Sequence, residues 1–242
     1  MQAMIFAAGL GTRLKPLTDT CPKALIEIGG QTLLQRLMLK LSAAGITNVV
    51  VNVHHFADMI IDYLNANSGF GLHWAVSDER NQLLETGGGL KKAQSLFMSY
   101  EPILVHNVDI LSNLDFRLLT AAHRADRLAT LVVSERLTQR YFLFDKQMRL
   151  HGWTNISTGE VRPASLSTDG LQTLAFSGIQ IVSPQIFDAM DGFGEKFSIT
   201  DLYIQKCGTH HIVGYVPREY RMMDVGKINQ IEEAQSFAAQ ME

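Results

Sequence analysis

Between Ala7 and Lys23 the chain reads A-A-G-L-G-T-R-L-K-P-L-T-D-T-C-P-K, directly after a short apolar run, Ala3 to Phe6, that has the character of a buried first strand. A strand that opens into two glycines and a cluster of cations has few uses. Gly9 and Gly11 let backbone amides close on a ligand and take up positive φ without steric strain. Amides turned inward in this way form an anion-binding nest. Thr12 adds a hydroxyl donor, and Arg13, Lys15 and Lys23 add cations suited to phosphate. Pro16 and Pro22 stiffen the loop and limit what is lost when it orders around a ligand. The stretch predicts a polyphosphate cradle; the plain alternative is a surface turn with chance basic residues. Two other glycine loops do not fit. The dinucleotide fingerprint needs a third glycine where Leu14 stands, and the Walker A pattern needs a glycine before its lysine, whereas Leu14 precedes Lys15.

The segments that follow alternate in period. Gln31 to Ala44 carries leucines at helical spacing with Gly45 as a C-cap, Asn48 to Val53 is a valine-rich strand, Phe56 to Asn65 a second amphipathic helix and Leu72 to Ser77 a third strand. Strand–helix–strand order of this kind predicts an α/β fold with a doubly wound, mostly parallel sheet. Ligands of such sheets sit beyond the carboxyl ends of the strands. Asp78 to Leu84 is a polar loop at such a position, and Glu85-Thr86-Gly87-Gly88-Gly89 leads into a helix predicted over Leu90 to Phe97. The three glycines suit close approach by a base or sugar, or else a hinge. Pro102 to Val108 is the fourth core strand. Asp109 at its end is a candidate ligand for Mg²⁺, which needs only one or two carboxylates beside phosphate and water oxygens. Asn107 and Asp109 share one face of the strand and Val108 points away.

The second half has a different texture. Asp115 is a helix N-cap, Leu128 to Ser134 a strand, Tyr141 to Trp153 a hairpin, Glu160 to Thr168 polar and irregular, and Thr173 to Val182 a strand interrupted by Ser177 and Gly178. Glycine inside that strand signals either a ligand or a bulge. Ser183-Pro184 and Thr200-Asp201 each start a short helix, Ile212 to Pro217 is a strand, and a final helix runs from Lys227 to Ala239. Asp224 stands on the lip before Gly226, as a cap or as a second carboxylate for a site.

With 242 residues, 46% hydrophobic and 19% charged, the chain is long enough for one well-packed domain. Its net charge of −3 and lack of any dense basic run disfavour nucleic acid as a partner. No apolar run approaches the roughly 20 residues of a membrane span. Two cysteines without metal spacing, Cys21 and Cys207, suit a cytoplasmic location. The adjacent pairs His54-His55 and His210-His211 lack the i, i+4 spacing of a zinc helix, and a strand interior is enough to explain His106.

From Gly9 to Lys23 the chain resembles the signature of the sugar-nucleotide pyrophosphorylases, nucleotidyltransferases acting on sugar 1-phosphates. L-E-T-G-G-G resembles their second nucleotide-contacting loop, in the spelling most similar to the N-acetylmuramate 1-phosphate uridylyltransferase branch. R-M-M-D-V-G is similar to the family's W-x-D-V-G element, with Met222 in place of its aromatic residue, and Val108 stands where the family usually has glycine. The resemblance implies a Rossmann-like nucleotide-diphospho-sugar transferase fold in one domain over 1–242, with a nucleotide-binding core over 1–135 and a β-rich sugar-binding elaboration and C-terminal helix over 136–242. It implies that Gly9, Gly11, Thr12, Arg13, Lys23, Glu85, Gly87 and Gly88 bind the nucleotide, that Asn107, Ser177 and Gly178 bind the sugar, and that Asp109 and Asp224 hold Mg²⁺. Arg13, Lys23, Asp109 and Asp224 would carry catalysis. The implied partners are a nucleoside triphosphate and a sugar 1-phosphate, UTP and N-acetylmuramic acid 1-phosphate in that branch, serving cell-wall sugar recycling. Mannose- or heptose-1-phosphate guanylyltransferases are the alternative, as is a non-catalytic nucleotide-sugar-binding subunit, which Val108 would favour.

Overall fold

The computed structural model describes residues 1–241. Its elements begin with β1 (Gln2–Phe6), the hairpin β2 (Glu27–Ile28) and β3 (Gln31–Thr32), α1 (Leu33–Ala43), β4 (Asn48–Val53), α2 (Ala57–Ala66) and β5 (His73–Asp78). Then come α3 (Glu85–Lys92), β6 (Ile103–Asn107), β7 (Ile110–Ser112), α4 (Phe116–Ala122), β8 (Ala129–Ser134), β9 (Arg140–Phe144), β10 (Leu150–Asn155) and β11 (Glu160–Arg162). The chain finishes with β12 (Gln172–Val182), α5 (Ile186–Ala189), α6 (Ile199–Lys206), β13 (Ile212–Tyr215), β14 (Met222–Asp224) and α7 (Ile231–Ala239).

β1 pairs in parallel with β4 on one side and β6 on the other, and β5 extends the parallel set beyond β4. Across β6 the sheet turns antiparallel. β12 runs against β6, and against both β8 and β9; β10 and β11 continue outward from β9, while β13 lies parallel to β8. Ten strands thus form one mixed sheet with a parallel core, running through the segments on either side of residue 135. The parallel half follows from helical crossovers between strands; in the antiparallel half β9, β10 and β11 are joined by short hairpins, while β12 reaches β6, β8 and β9 through longer connections.

Both faces of the core are covered, so side chains of one strand feed two cores in alternation. Ala3, Ile5, Val49, Val51 and Leu104 enter one; Met4, Val50, Ile103 and Val105 enter the other. The valine run of β4 needs no polar face for that reason. α1 closes the first core with Leu33, Leu34, Leu37, Met38 and Leu41, all buried, each contributing roughly 1.5–3 kcal/mol on leaving water. It starts later than periodicity alone suggests because Gln31 and Thr32 pair with Ile28 and Glu27. Thr32 caps it by accepting from the Gln35 amide at 3.0 Å.

Several local expectations are overturned by packing. The helix predicted over Leu90 to Phe97 spans Glu85–Lys92 instead and takes all three glycines into its body. Part of the segment read as irregular, 160–168, forms β11 at the edge of β10. Ser183 does not cap a helix: its hydroxyl donates to the Arg127 carbonyl, and α5 has no side-chain cap. Ser198 rather than Thr200 caps α6, accepting from the Thr200 amide at 3.2 Å. A single 3-10 turn, Ile228–Gln230, precedes α7, which therefore begins at Ile231 rather than Lys227. Among the described residues, no helix is long and apolar enough to cross a membrane.

Candidate active site

The carboxyl ends of β1, β4 and β6 meet at one edge, and the loop after β1 lies over them. Gly11 adopts φ +63°, with its carbonyl accepting from the Leu14 amide at 2.8 Å and the Thr18 hydroxyl at 2.9 Å. A side chain at Gly11 would also come within 2.8 Å of the Thr18 methyl, so both backbone and space require glycine. Gly9 has open space beside its Cα. Leu14 is fully buried and pins the loop to the core, which leaves Thr12 and Arg13 exposed above.

The start of this loop is held by a residue that sequence reasoning missed. Asn52 of β4 accepts from the amides of Ala7 and Ala8 at 2.7 and 3.2 Å and donates to Glu79 Oε1 at 2.7 Å. The other Glu79 oxygen accepts from the Leu84 amide at 3.0 Å, and Glu79 itself is wholly buried. One polar network thus joins the loop after β1 to the loop after β5. The available signal was Asn52 itself, an amide inside N-V-V-V-N-V, since a polar side chain in a buried strand needs partners.

Asp109 and Asp224 lie far apart in the sequence and converge through β7 and β14. These strands pair antiparallel with Asp224 opposite Ile110, and the Val225 amide donates to the Asp109 carbonyl at 2.9 Å. Lys23 forms an ion pair with Asp109 Oδ2, the two side chains being 10% and 22% exposed. Arg13, Lys23, Asp109 and Gly226 line a cleft of about 430 Å³ together with Gly9, Gly11, Thr12, Glu85 and Thr86. A side chain at Gly226 would meet Asp224 Oδ1 at 2.4 Å and the Arg13 guanidinium at 3.3 Å, so glycine keeps the space between these charges open. Asp224 beside that opening and Asp109 on the cleft wall are hard carboxylates of the kind Mg²⁺ accepts, with its remaining ligands taken from phosphate and water.

A second cavity of about 300 Å³ adjoins the first, sharing Phe6, Thr86 and Asn107 with it. Asp224, Ser177, Gly178 and Arg136 line it. Here the sequence left two readings of Ser177-Gly178, and the structure contains a register shift between Phe176 and Gln180 with Gly178 at φ +72° against the Asn107 side chain. Val108 is buried in the core and its amide donates to the Phe6 carbonyl at 3.1 Å. His106 is wholly buried and held down to about pKa 3 by burial and the nearby Lys40 charge, so it serves the core as a neutral ring.

Gly87 and Gly88 have a different setting from the one their motif suggests. Neither lines the cleft; both amides donate to the Phe197 carbonyl, at 2.9 and 3.1 Å. Side chains there would meet the Phe197 ring at 2.3 Å and the Glu195 carbonyl at 2.0 Å, and at Gly89 the Glu79 carboxylate at 2.7 Å. The glycines let α3 lie against the 195–197 backbone, which leaves Glu85 and Thr86 as the part of the motif facing the cleft.

A profile of the nucleotidyl transferase family matches residues 2–241. The chain belongs to the nucleotidyl transferase family. Among curated members, it is 34% identical to N-acetylmuramate alpha-1-phosphate uridylyltransferase of Caulobacter vibrioides, over 93% of this chain and 91% of that one. It is 31% identical to the protein of the same name from Neisseria meningitidis serogroup B, over 98% of each. A solved UDP-glucose pyrophosphorylase with bound UDP-glucose superposes with a TM-score of 0.78 at 18% identity over 100% of both chains, a likeness of fold. The doubly wound sheet with its β-rich second half is therefore the family fold, and the chain is a sugar-1-phosphate nucleotidyltransferase.

Proposed function

We propose that this protein condenses UTP with N-acetylmuramic acid 1-phosphate, releasing pyrophosphate and forming the UDP-sugar. The observation that carries the reading is the meeting of Arg13, Lys23 and Asp109 in one cleft at the strand ends, with Asp224 brought beside them on the wall of the adjoining cavity, in a chain similar to two N-acetylmuramate uridylyltransferases over nearly its whole length. An oxygen of the sugar phosphate attacks the α-phosphorus of UTP; that P–O bond forms as the α–β anhydride bond breaks, and pyrophosphate leaves. The attacking phosphate is already ionised near neutral pH, so no general base is needed. The protein supplies positioning and charge stabilisation for two mutually repelling anions.

In this reading the Gly9–Thr12 segment and Arg13 hold the β and γ phosphates, and Lys23 spans the α-phosphate and the incoming sugar phosphate. Asp109 and Asp224 would hold Mg²⁺, which when bound neutralises phosphate charge. Lys23 and Asp109 satisfy each other without ligand and exchange that ion pair for phosphate and cation when substrates arrive. Glu85 and Thr86 face the nucleotide, while Asn107, Ser177 and Gly178 border the sugar. Pyrophosphate release measured with four triphosphates against N-acetylmuramic acid, N-acetylglucosamine, glucose and mannose 1-phosphates tests the reading. The expected preference is UTP with the muramic sugar; preferred use of GTP with mannose 1-phosphate would replace it.

A further inference from the structure

The second cavity holds a charge that the transfer chemistry does not use. Arg136 follows the end of β8 and is the only cation among the residues lining that cavity, whose one acid is Asp224. Its guanidinium donates to the Phe176 carbonyl at 3.2 Å and, among the described residues, makes no ion pair. A guanidinium carries five N–H donors in a fixed fork, so most remain available to a ligand. Ser177, 1% exposed, lines the same cavity with its hydroxyl beside the Tyr220 phenol. Tyr220 lies near both: burial pushes its phenol up to about 12, while Ser177 and Arg136 pull it the other way. A polar cluster with one unpaired cation is therefore set where the sugar ring would lie, in the cavity that Arg13 and Lys23 do not line.

We infer that Arg136 is a specificity residue that recognises a carboxylate carried by the sugar itself, separately from the 1-phosphate. The inference rests on the muramic acid reading, because N-acetylmuramic acid differs from N-acetylglucosamine by a lactyl ether that ends in a carboxylate. With the 1-phosphate beside Lys23 and the ring extending past Asn107, that carboxylate meets the Arg136 fork. Bidentate guanidinium–carboxylate pairing supplies both charge and direction, and a planar fork does this better than an ammonium. A neutral hexose 1-phosphate would leave the guanidinium to water and gain nothing from it.

The test compares kcat/KM for N-acetylmuramic acid 1-phosphate and N-acetylglucosamine 1-phosphate in wild type, Arg136→Gln and Arg136→Lys. Wild type is expected to prefer the acidic sugar. Arg136→Gln should reduce the ratio of the two values roughly 10- to 100-fold, the scale of one charge-assisted contact, mainly through KM for the acidic sugar. Arg136→Lys should recover part of the ratio. A wild-type preference that survives Arg136→Gln overturns this inference alone, as does an equal loss on both sugars, which would make Arg136 a phosphate or scaffold contact. A wild-type enzyme that rejects the acidic sugar overturns the substrate reading and this inference with it.

Discussion

Two glycine-rich segments border the cleft, and they use the same residue for opposite purposes. At Gly9 the missing side chain leaves open space beside the cleft, and at Gly11 glycine holds a left-handed turn packed against Thr18. At Gly87, Gly88 and Gly89 the space is already filled, by the Phe197 ring, the Glu195 carbonyl and the Glu79 carboxylate. The first segment has exposed cations and a turn anchored by one buried leucine. The second lies inside a helix that glycine would ordinarily weaken by roughly 1 kcal/mol per residue, and close packing against 195–197 outweighs that. A glycine motif beside a cleft thus divides into a part that faces the cleft and a part that packs against protein.

The comparison is tested most strongly on the cleft side. Arg13→Ala and Asp224→Asn should each lower kcat/KM about 100–1000-fold, the scale of one preorganised electrostatic group. Arg13 is exposed, so its loss should move Tm by no more than about 2 °C. A large fall in Tm with activity nearly intact would reverse the division of labour. Asn52→Ala should affect both properties, since it strips the Ala7 and Ala8 amides and Glu79 of a buried partner. The expected loss is about 2–4 kcal/mol in a urea titration, with a raised KM for the triphosphate; stability equal to wild type would show that the two loops are not tied through this residue.

On the packing side, Gly88→Ala drives a methyl into the Glu195 carbonyl and should destabilise by about 1–3 kcal/mol, whereas Gly9→Ala should leave Tm within about 2 °C and raise the triphosphate KM. If Gly9→Ala proves the more damaging to Tm, the contrast fails. The smallest effect expected is a pH dependence outside both segments. His123 sits between the Thr130 and Ser183 hydroxyls at 2.9 and 3.0 Å. Burial first and then the Arg127 charge hold it down to about 4, against the usual 6.5. The folded state then binds fewer protons than the unfolded chain between those values. The contribution is complete above about 6.5 and is lost as pH falls toward about 4. His123→Gln should flatten the slope of Tm against pH in that window; parallel slopes for variant and wild type would count against the assignment.

Much of this was legible in the chain because local chemistry carried it. Positive φ at Gly11, the placement of Arg13 and Lys23 next to a strand end, and the valine run of β4 are each properties of a few consecutive residues. The glycines of α3 were not legible in the same way. A glycine reports that a side chain is not tolerated, and it carries no information about whether ligand or protein fills the space. Asn52 was visible as an oddity, but its partners lie on other elements.

The sequence by itself determined the alternation of elements, the glycines and cations of the loop after β1 and the residue types available to a site. Only the tertiary structure decided that Asp224 stands beside Asp109, because antiparallel pairing of β14 with β7 joins distant segments by backbone hydrogen bonds that no local pattern announces. It alone decided that Gly87 and Gly88 pack against the 195–197 segment, and that Arg136 reaches the second cavity. The physical reason is the same in each case: which side of a residue is filled depends on what another part of the chain brings against it.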